Sequence, residues 1–175
     1  MTHRPMATIA MLALLWMANP ALAAGAIEPH TDETGAASFS LIDLDNTPRS
    51  LGDYKGRVVL VNFWASWCNS CIREFPSLER LSRAMDPDRF ALLAVNVREG
   101  KGSVRRFRRL QDAGIELLLD KNGATAASWG VEVYPTSFIV DAAGVIRRQF
   151  IGEIDWDDAE KHAYIETLFS SSKNK

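Results

Sequence analysis

Residues 58–64 read Val-Val-Leu-Val-Asn-Phe-Trp, and no other stretch of the chain restricts its fold so much. A run of that length, rich in β-branched and aromatic side chains and broken by one polar residue, predicts a strand buried on both faces of a sheet. Four positions on stand the only two cysteines, Cys68 and Cys71. After them Ile72, Phe75, Leu78 and Leu81 recur at helical spacing until Asp86-Pro87. The unit is strand, cysteine pair, helix, with Cys68 at or just before the helix N-terminus and Cys71 in its first turn.

The rest of the chain continues the alternation. From Phe39 the segment FSLIDL alternates, and DNTPRSLGDYKG, with two turn signals, predicts a second short extended piece. Strands are expected at 90–97, 115–119, 136–140 and 145–151, the last two joined by the tight turn 141–144. Helical stripes are expected at 104–110 and 125–129. A final helix is expected at about 157–169, with Ala159, Ala163, Ile165 and Leu168 among its inward candidates. Strands alternating with helices, then a hairpin, indicate an α/β fold with a mixed central sheet and helices on both faces.

The first residues do not belong to that core. Arg4 precedes an uncharged run over 6–18, Asn19-Pro20 breaks it, and Ala21-Leu22-Ala23 supplies small residues for a signal peptidase. A secretory signal peptide over 1–23 is expected, cut after Ala23 or Ala24. The alternative, a retained membrane anchor, needs roughly 20 apolar residues, and this run is shorter. No cysteine near the cut offers a site for lipid. A flexible lead-in at 24–37, one domain at 38–170 and a short tail at 171–175 follow. The chain of 175 residues, 47% apolar and 24% charged, suffices for one such core. Loss of Arg4 moves the formal charge from −2 to −3, a mild balance that argues against nucleic acid as a general partner.

Export changes how the cysteines read. Disulfides persist outside the cytoplasm, but a pair separated by two residues closes too small a loop to be a strong staple. Structural zinc needs four ligands, and the three histidines, His3, His30 and His162, are poorly placed to complete them. Covalent haem needs a histidine directly after the second cysteine, where this chain has Ile72. No metal or cofactor is implied. Redox chemistry remains, because residues i and i+3 of a helical turn stand within the Cα separation that a disulfide accepts. The helix N-terminus stabilises a thiolate, so Cys68 is the attacking thiol, and Cys71, one turn in, resolves the mixed disulfide.

VVLVNFWASWCNSC, followed by REFP and, some sixty residues on, by Tyr134-Pro135-Thr136, resembles the thioredoxin superfamily, and specifically its exported TlpA/ResA-like branch. The resemblance spans about residues 36–170 and implies a thioredoxin-like sheet with an N-terminal strand extension and a central insertion. It implies a cis proline at Pro135 beside the cysteines, with the backbone of Tyr134 pairing with an extended substrate, and Trp67 and Thr136 contributing to that surface. Asn62 stands where thioredoxin itself carries a buried, proton-shuttling aspartate. Glu74, three residues after Cys71, matches a glutamate that approaches the cysteines from inside the fold, and Glu99 matches a second acidic position near them. A carboxylate held in an apolar setting can accept a thiol proton, since desolvation raises its pKa. Ser70 departs from the branch, where proline is frequent before the second cysteine. Exported copper relay proteins of related fold space their cysteines by three and add a distal histidine, neither of which fits here.

The resemblance implies a periplasmic protein thiol-disulfide oxidoreductase, acting as a reductase. Apocytochrome c is a frequent substrate in that branch, and a membrane electron donor of the DsbD or CcdA type restores the dithiol. An oxidase that donates its disulfide is one alternative, and a non-catalytic binding module or chaperone on the same fold is another. The basic face from Arg105 to Arg109, with Arg98 and Lys101 before it, is expected to be solvated, or else to dock an acidic partner or anionic surface.

Overall fold

The computed structural model of the chain describes residues 27–29, 35 and 38–171. The expected signal peptide and most of the tail lie outside them. Eight strands form one sheet: β1 (Ile27–Pro29), β2 (Ser40–Asp43), β3 (Pro48–Ser50), β4 (Val58–Trp64), β5 (Phe90–Val97), β6 (Ile115–Asp120), β7 (Thr136–Val140) and β8 (Ile146–Ile151), in the order β1-β8-β7-β4-β5-β6-β2-β3. The pairs β4–β5 and β5–β6 are parallel and the others antiparallel, so the sheet is mixed. The helices are α1 (Asn69–Ala84), α2 (Lys101–Val104), α3 (Ala124–Ser128) and α4 (Ala159–Ser171). The thioredoxin-like α/β arrangement expected from the sequence is present.

Period-two alternation sorts the strand residues between two cores. Leu60 and Trp64 of β4, Leu92 and Ala94 of β5 and Ile139 of β7 pack with Phe75, Leu78 and Leu81 of α1 and with Ile165 and Phe169 of α4. Val59, Val61 and Phe63 of β4, Leu93 and Val95 of β5 and Phe138 of β7 pack on the other face with Trp129 and Ala126. The same parity puts three buried polar residues, Asn62, Asn96 and Ser137, on the α1 face. Trp64 is clasped there edge-on by Phe75 at 4.8 Å and Phe107 at 4.9 Å. Each such aromatic pair contributes on the order of 1 kcal/mol beyond area burial and anchors the end of β4.

Three local expectations change. The helical stripe at 104–110 is one turn of α-helix followed by a 3₁₀ segment, Arg105–Ala113. Its buried residues Val104, Phe107, Leu110 and Ala113 recur every third position, which keeps one face only when the helix has three residues per turn. Ala159 and Ala163 are exposed, and α4 packs instead through Ile165, Phe169 and the flanks of Tyr164 and Leu168. Within the lead-in, the backbone of Ile27–Pro29 pairs with Phe150, Gln149 and Arg148, covering the β8 edge with a short strand in which the proline is tolerable.

Candidate active site

From Trp64 the chain turns through Ala65, Ser66 and Trp67 into α1, and Cys68 is the N-cap of that helix. Its Sγ accepts the Cys71 amide at 3.2 Å. The unsatisfied amides and partial positive charge at this end favour negative charge on the sulfur. Cys68 and Cys71 are joined as a disulfide with Cα atoms 5.3 Å apart. Cys68 retains 6% of its surface and Cys71 none, so only Cys68 can be approached from outside.

β7 runs antiparallel to β4 with Thr136 opposite Phe63, which sets the preceding residues beside the end of β4 and the cysteine turn. There the Tyr134-Pro135 peptide is cis. Thr136 Oγ1 donates to the Val133 carbonyl at 2.9 Å and ties the loop to the strand. The Tyr134 ring meets Trp67 edge-on at 6.0 Å. Trp67 is 66% exposed and Val133 54%, so an apolar rim flanks the accessible sulfur.

One turn along α1 from Cys71, Glu74 is buried. Its Oε1 accepts from Trp156 Nε1 at 2.6 Å and its Oε2 from Asn62 Nδ2 at 3.2 Å. Asn62 Nδ2 also donates to Ser137 Oγ at 2.9 Å, leaving Asn62 Oδ1 with no hydrogen bond. Burial pushes the Glu74 carboxyl up to about 7, against the donors Trp156, Asn62 and the Ile154 backbone, which favour the charged form; the nearby Glu153 charge adds to the rise. Glu74 also forms part of the wall of an open cleft with Arg73, Ser77, Arg80 and Ile154. Trp156→Phe is expected to raise the Glu74 pKa further and to destabilise the fold at pH 8 by roughly 1–2 kcal/mol, more than at pH 5, in chemical denaturation. An equal loss at both pH values would show that the indole serves packing alone.

Glu99 is placed differently. The left-handed Arg98, φ 58°, turns the chain out of β5 so that Glu99 meets Ser66 just before the cysteines. Glu99 Oε2 accepts the Ser66 amide at 2.6 Å and Asn96 Nδ2 at 2.8 Å, and Oε1 accepts the Ser66 hydroxyl at 2.6 Å. Burial favours the neutral acid, but these donors and the Arg106 charge outweigh it and hold the carboxyl below the ordinary carboxylate range. Such a group stays ionised and accepts hydrogen bonds, which suits it to fixing the Ser66 turn.

Residues 33–149 match the AhpC/TSA family. The chain belongs to that family, within its thioredoxin-like proteins. The thioredoxin-like protein YneN of Bacillus subtilis is 38% identical over 129 residues, 72% of this chain and 75% of its own. The thiol-disulfide oxidoreductase ResA of Geobacillus thermodenitrificans is 32% identical over 127 residues, 73% of each. The crystal structure of the exposed lipoprotein thioredoxin of Streptococcus pneumoniae superposes with a TM-score of 0.59 at 28% identity, over 77% of this chain and 99% of that one. With its cysteine pair at disulfide distance, this AhpC/TSA member is a protein thiol-disulfide oxidoreductase.

Sequence reasoning named Cys68, Cys71, Glu74, Glu99, Trp67, Tyr134, Pro135 and Thr136, and the fold gathers them around the end of β4. It missed Trp156, Ser66, Asn96, Ser137 and Arg106, whose Nη2 donates to the Ser66 carbonyl at 3.0 Å. Two of these had a signal, since Asn96 and Ser137, like Asn62, interrupt otherwise apolar strands on the α1 face. The basic face is partly engaged by the protein's own groups: Arg106 lies over the Phe107 ring, Arg108 pairs with Asp45 and Arg109 with Glu79. Among the described residues no cluster of His, Cys, Asp and Glu is arranged to hold a metal ion, and no helix is long and apolar enough to cross a membrane.

Proposed function

We propose that this protein is an exported reductase of protein disulfides that works in the periplasm. Cys68 is the nucleophile, Cys71 the resolving thiol, Glu74 the proton acceptor for Cys71, and Glu99 the residue that positions the Ser66 turn. The observation that carries the reading is the buried Glu74, one helical turn from Cys71 and poised near neutral pH. The Cys68 thiolate attacks a substrate disulfide, forming the mixed disulfide and releasing one substrate thiolate, which takes a proton. Cys71 passes its proton to Glu74 and attacks the Cys68 sulfur. The second substrate sulfur leaves and is protonated, so two electrons and two protons reach the substrate while the Cys68–Cys71 bond forms.

The substrate chain lies in extended form against the Tyr134 backbone, with Trp67, Pro135 and Thr136 shaping that surface. Apocytochrome c fits this use, since its two cysteines must be thiols before haem is attached. A membrane donor of the DsbD or CcdA type then restores the dithiol. Likeness to ResA and to an exposed lipoprotein thioredoxin supports both the chemistry and the location. The signal sequence at 1–23 provides the export route, with a retained anchor as the other route to the same compartment.

The test is a redox titration of the pair against glutathione, with reduction of a disulfide-bonded Cys-x-x-Cys-His peptide. The reductase reading expects a potential toward the thioredoxin end, about −270 mV, and multiple turnovers when electrons are supplied. A potential near the disulfide-donor end, about −120 mV, would assign the protein to oxidation instead.

A further inference from the structure

Ser70 occupies the second position of α1, half-buried, with its Oγ 3.3 Å from Cys68 Sγ. In the disulfide the Cys68 sulfur carries no hydrogen, so the hydroxyl must be the donor. The Cys71 amide points at the same sulfur from 3.2 Å. Two donors thus converge on the atom that holds the negative charge once the disulfide is opened.

We propose that Ser70 is a catalytic residue whose hydroxyl donates to Cys68 Sγ in both oxidation states and sets the redox poise of the pair by favouring the thiolate. A disulfide sulfur is a weak, neutral acceptor, whereas a thiolate bears a full charge, and charge-assisted hydrogen bonds are about twice as strong as neutral ones. The hydroxyl therefore stabilises the reduced protein more than the oxidised one. Opening the pair with two glutathione thiols yields glutathione disulfide, the Cys68 thiolate, the Cys71 thiol and one proton. The donor moves that balance toward the reduced side. Proline at the same position has no side-chain donor, so the serine makes the pair more oxidising than a proline there would. The sequence alone leaves the poise of this pair open at Asn69-Ser70, and the hydroxyl supplies its direction.

The inference rests on Cys68 being the attacking sulfur, and its test compares variants and does not depend on the absolute potential. Ser70→Ala removes the donor and introduces a good helix former. In Ser70→Ala, the ratio [GSH]²/[GSSG] at half-oxidation is expected to rise about fivefold, a fall of about 20 mV in a two-electron potential. The thiolate absorbance of the reduced variant should titrate at higher pH than that of the wild type. Ser70→Thr, which keeps a hydroxyl, should return both readings to within about twofold of the wild type. Unchanged poise and unchanged thiolate titration in Ser70→Ala would overturn the proposal, as would a threonine variant that behaves like alanine. A shift in both would stand even if the wild-type potential assigned the protein to oxidation.

Discussion

Cys71→Ala is expected to stop turnover while leaving the first chemical step intact. Cys68 is the sulfur with an exposed edge and the helix-terminal amides behind it, and Cys71 is fully enclosed. Substrate therefore meets Cys68 alone, and the mixed disulfide has no thiol to resolve it. Catalytic reduction should fall by at least about 10³-fold, toward the rate at which free thiols rescue the adduct. The variant should accumulate on non-reducing gels as a covalent complex that dithiothreitol dissolves, and its substrate half can be identified by mass. Cys68→Ala should lose turnover to the same extent and form no adduct, because Cys71 cannot reach an incoming disulfide. The fold should survive both changes, since the loop closed by this disulfide spans three residue positions and constrains the unfolded chain little. An adduct formed by Cys68→Ala and not by Cys71→Ala would reverse the two roles.

How far the sequence revealed this site follows from the range of the interactions. The strand, the cysteine pair and α1 were legible because each follows from a pattern within a few residues. Asn62 was read only as a missing aspartate. Its amide as a partner of Glu74 depends on the packing of α1 against the sheet, and periodicity carries no trace of it. Trp156 lies 82 positions from Glu74, in a connection with no regular pattern, so the indole that holds the carboxylate was invisible. Glu99 was legible as an acid near the cysteines, but its charge state depends on Ser66 and Asn96, which meet it only through the turn at Arg98. The two steps of three from Val104 to Leu110 still fit the broad apolar stripe of an α-helix, and only the third, to Ala113, demands three residues per turn. Alanines such as Ala159 and Ala163 bury too little surface to decide which way a helix faces.

Glu74→Gln is expected to remove most of the fall in stability that the wild-type protein shows between about pH 4.5 and 7, and to slow the resolving step. The folded carboxyl titrates at about 7, above its ordinary 4.5. Below about pH 4.5 both folded and unfolded chains hold the proton, and this stabilising contribution is fully present. Between the two values the unfolded chain has released its proton while the folded chain keeps it, so stability declines as pH rises through the folded pKa. Above 7 both are ionised and the decline levels off. The gap corresponds to about 3 kcal/mol lost in total, mainly the cost of burying the charge. Glutamine removes that ionisation and keeps an oxygen for Trp156. Its amide hydrogens would face Asn62 Nδ2, but Asn62 has an oxygen without a partner, and turning its amide over presents that oxygen to the new donor. The pocket can therefore take the variant, and urea denaturation of the oxidised protein at pH 5 and pH 8 should give nearly equal stabilities where the wild type differs by kilocalories. Glutamine also cannot accept the Cys71 proton, so decay of a preformed mixed disulfide should slow by roughly 10²-fold at pH 7, the lower end of what a positioned base contributes. The deficit should shrink at high pH, where hydroxide takes the proton instead. A variant with the wild-type pH slope would place the titrating group elsewhere, and an unchanged resolving rate would remove Glu74 from the proton path.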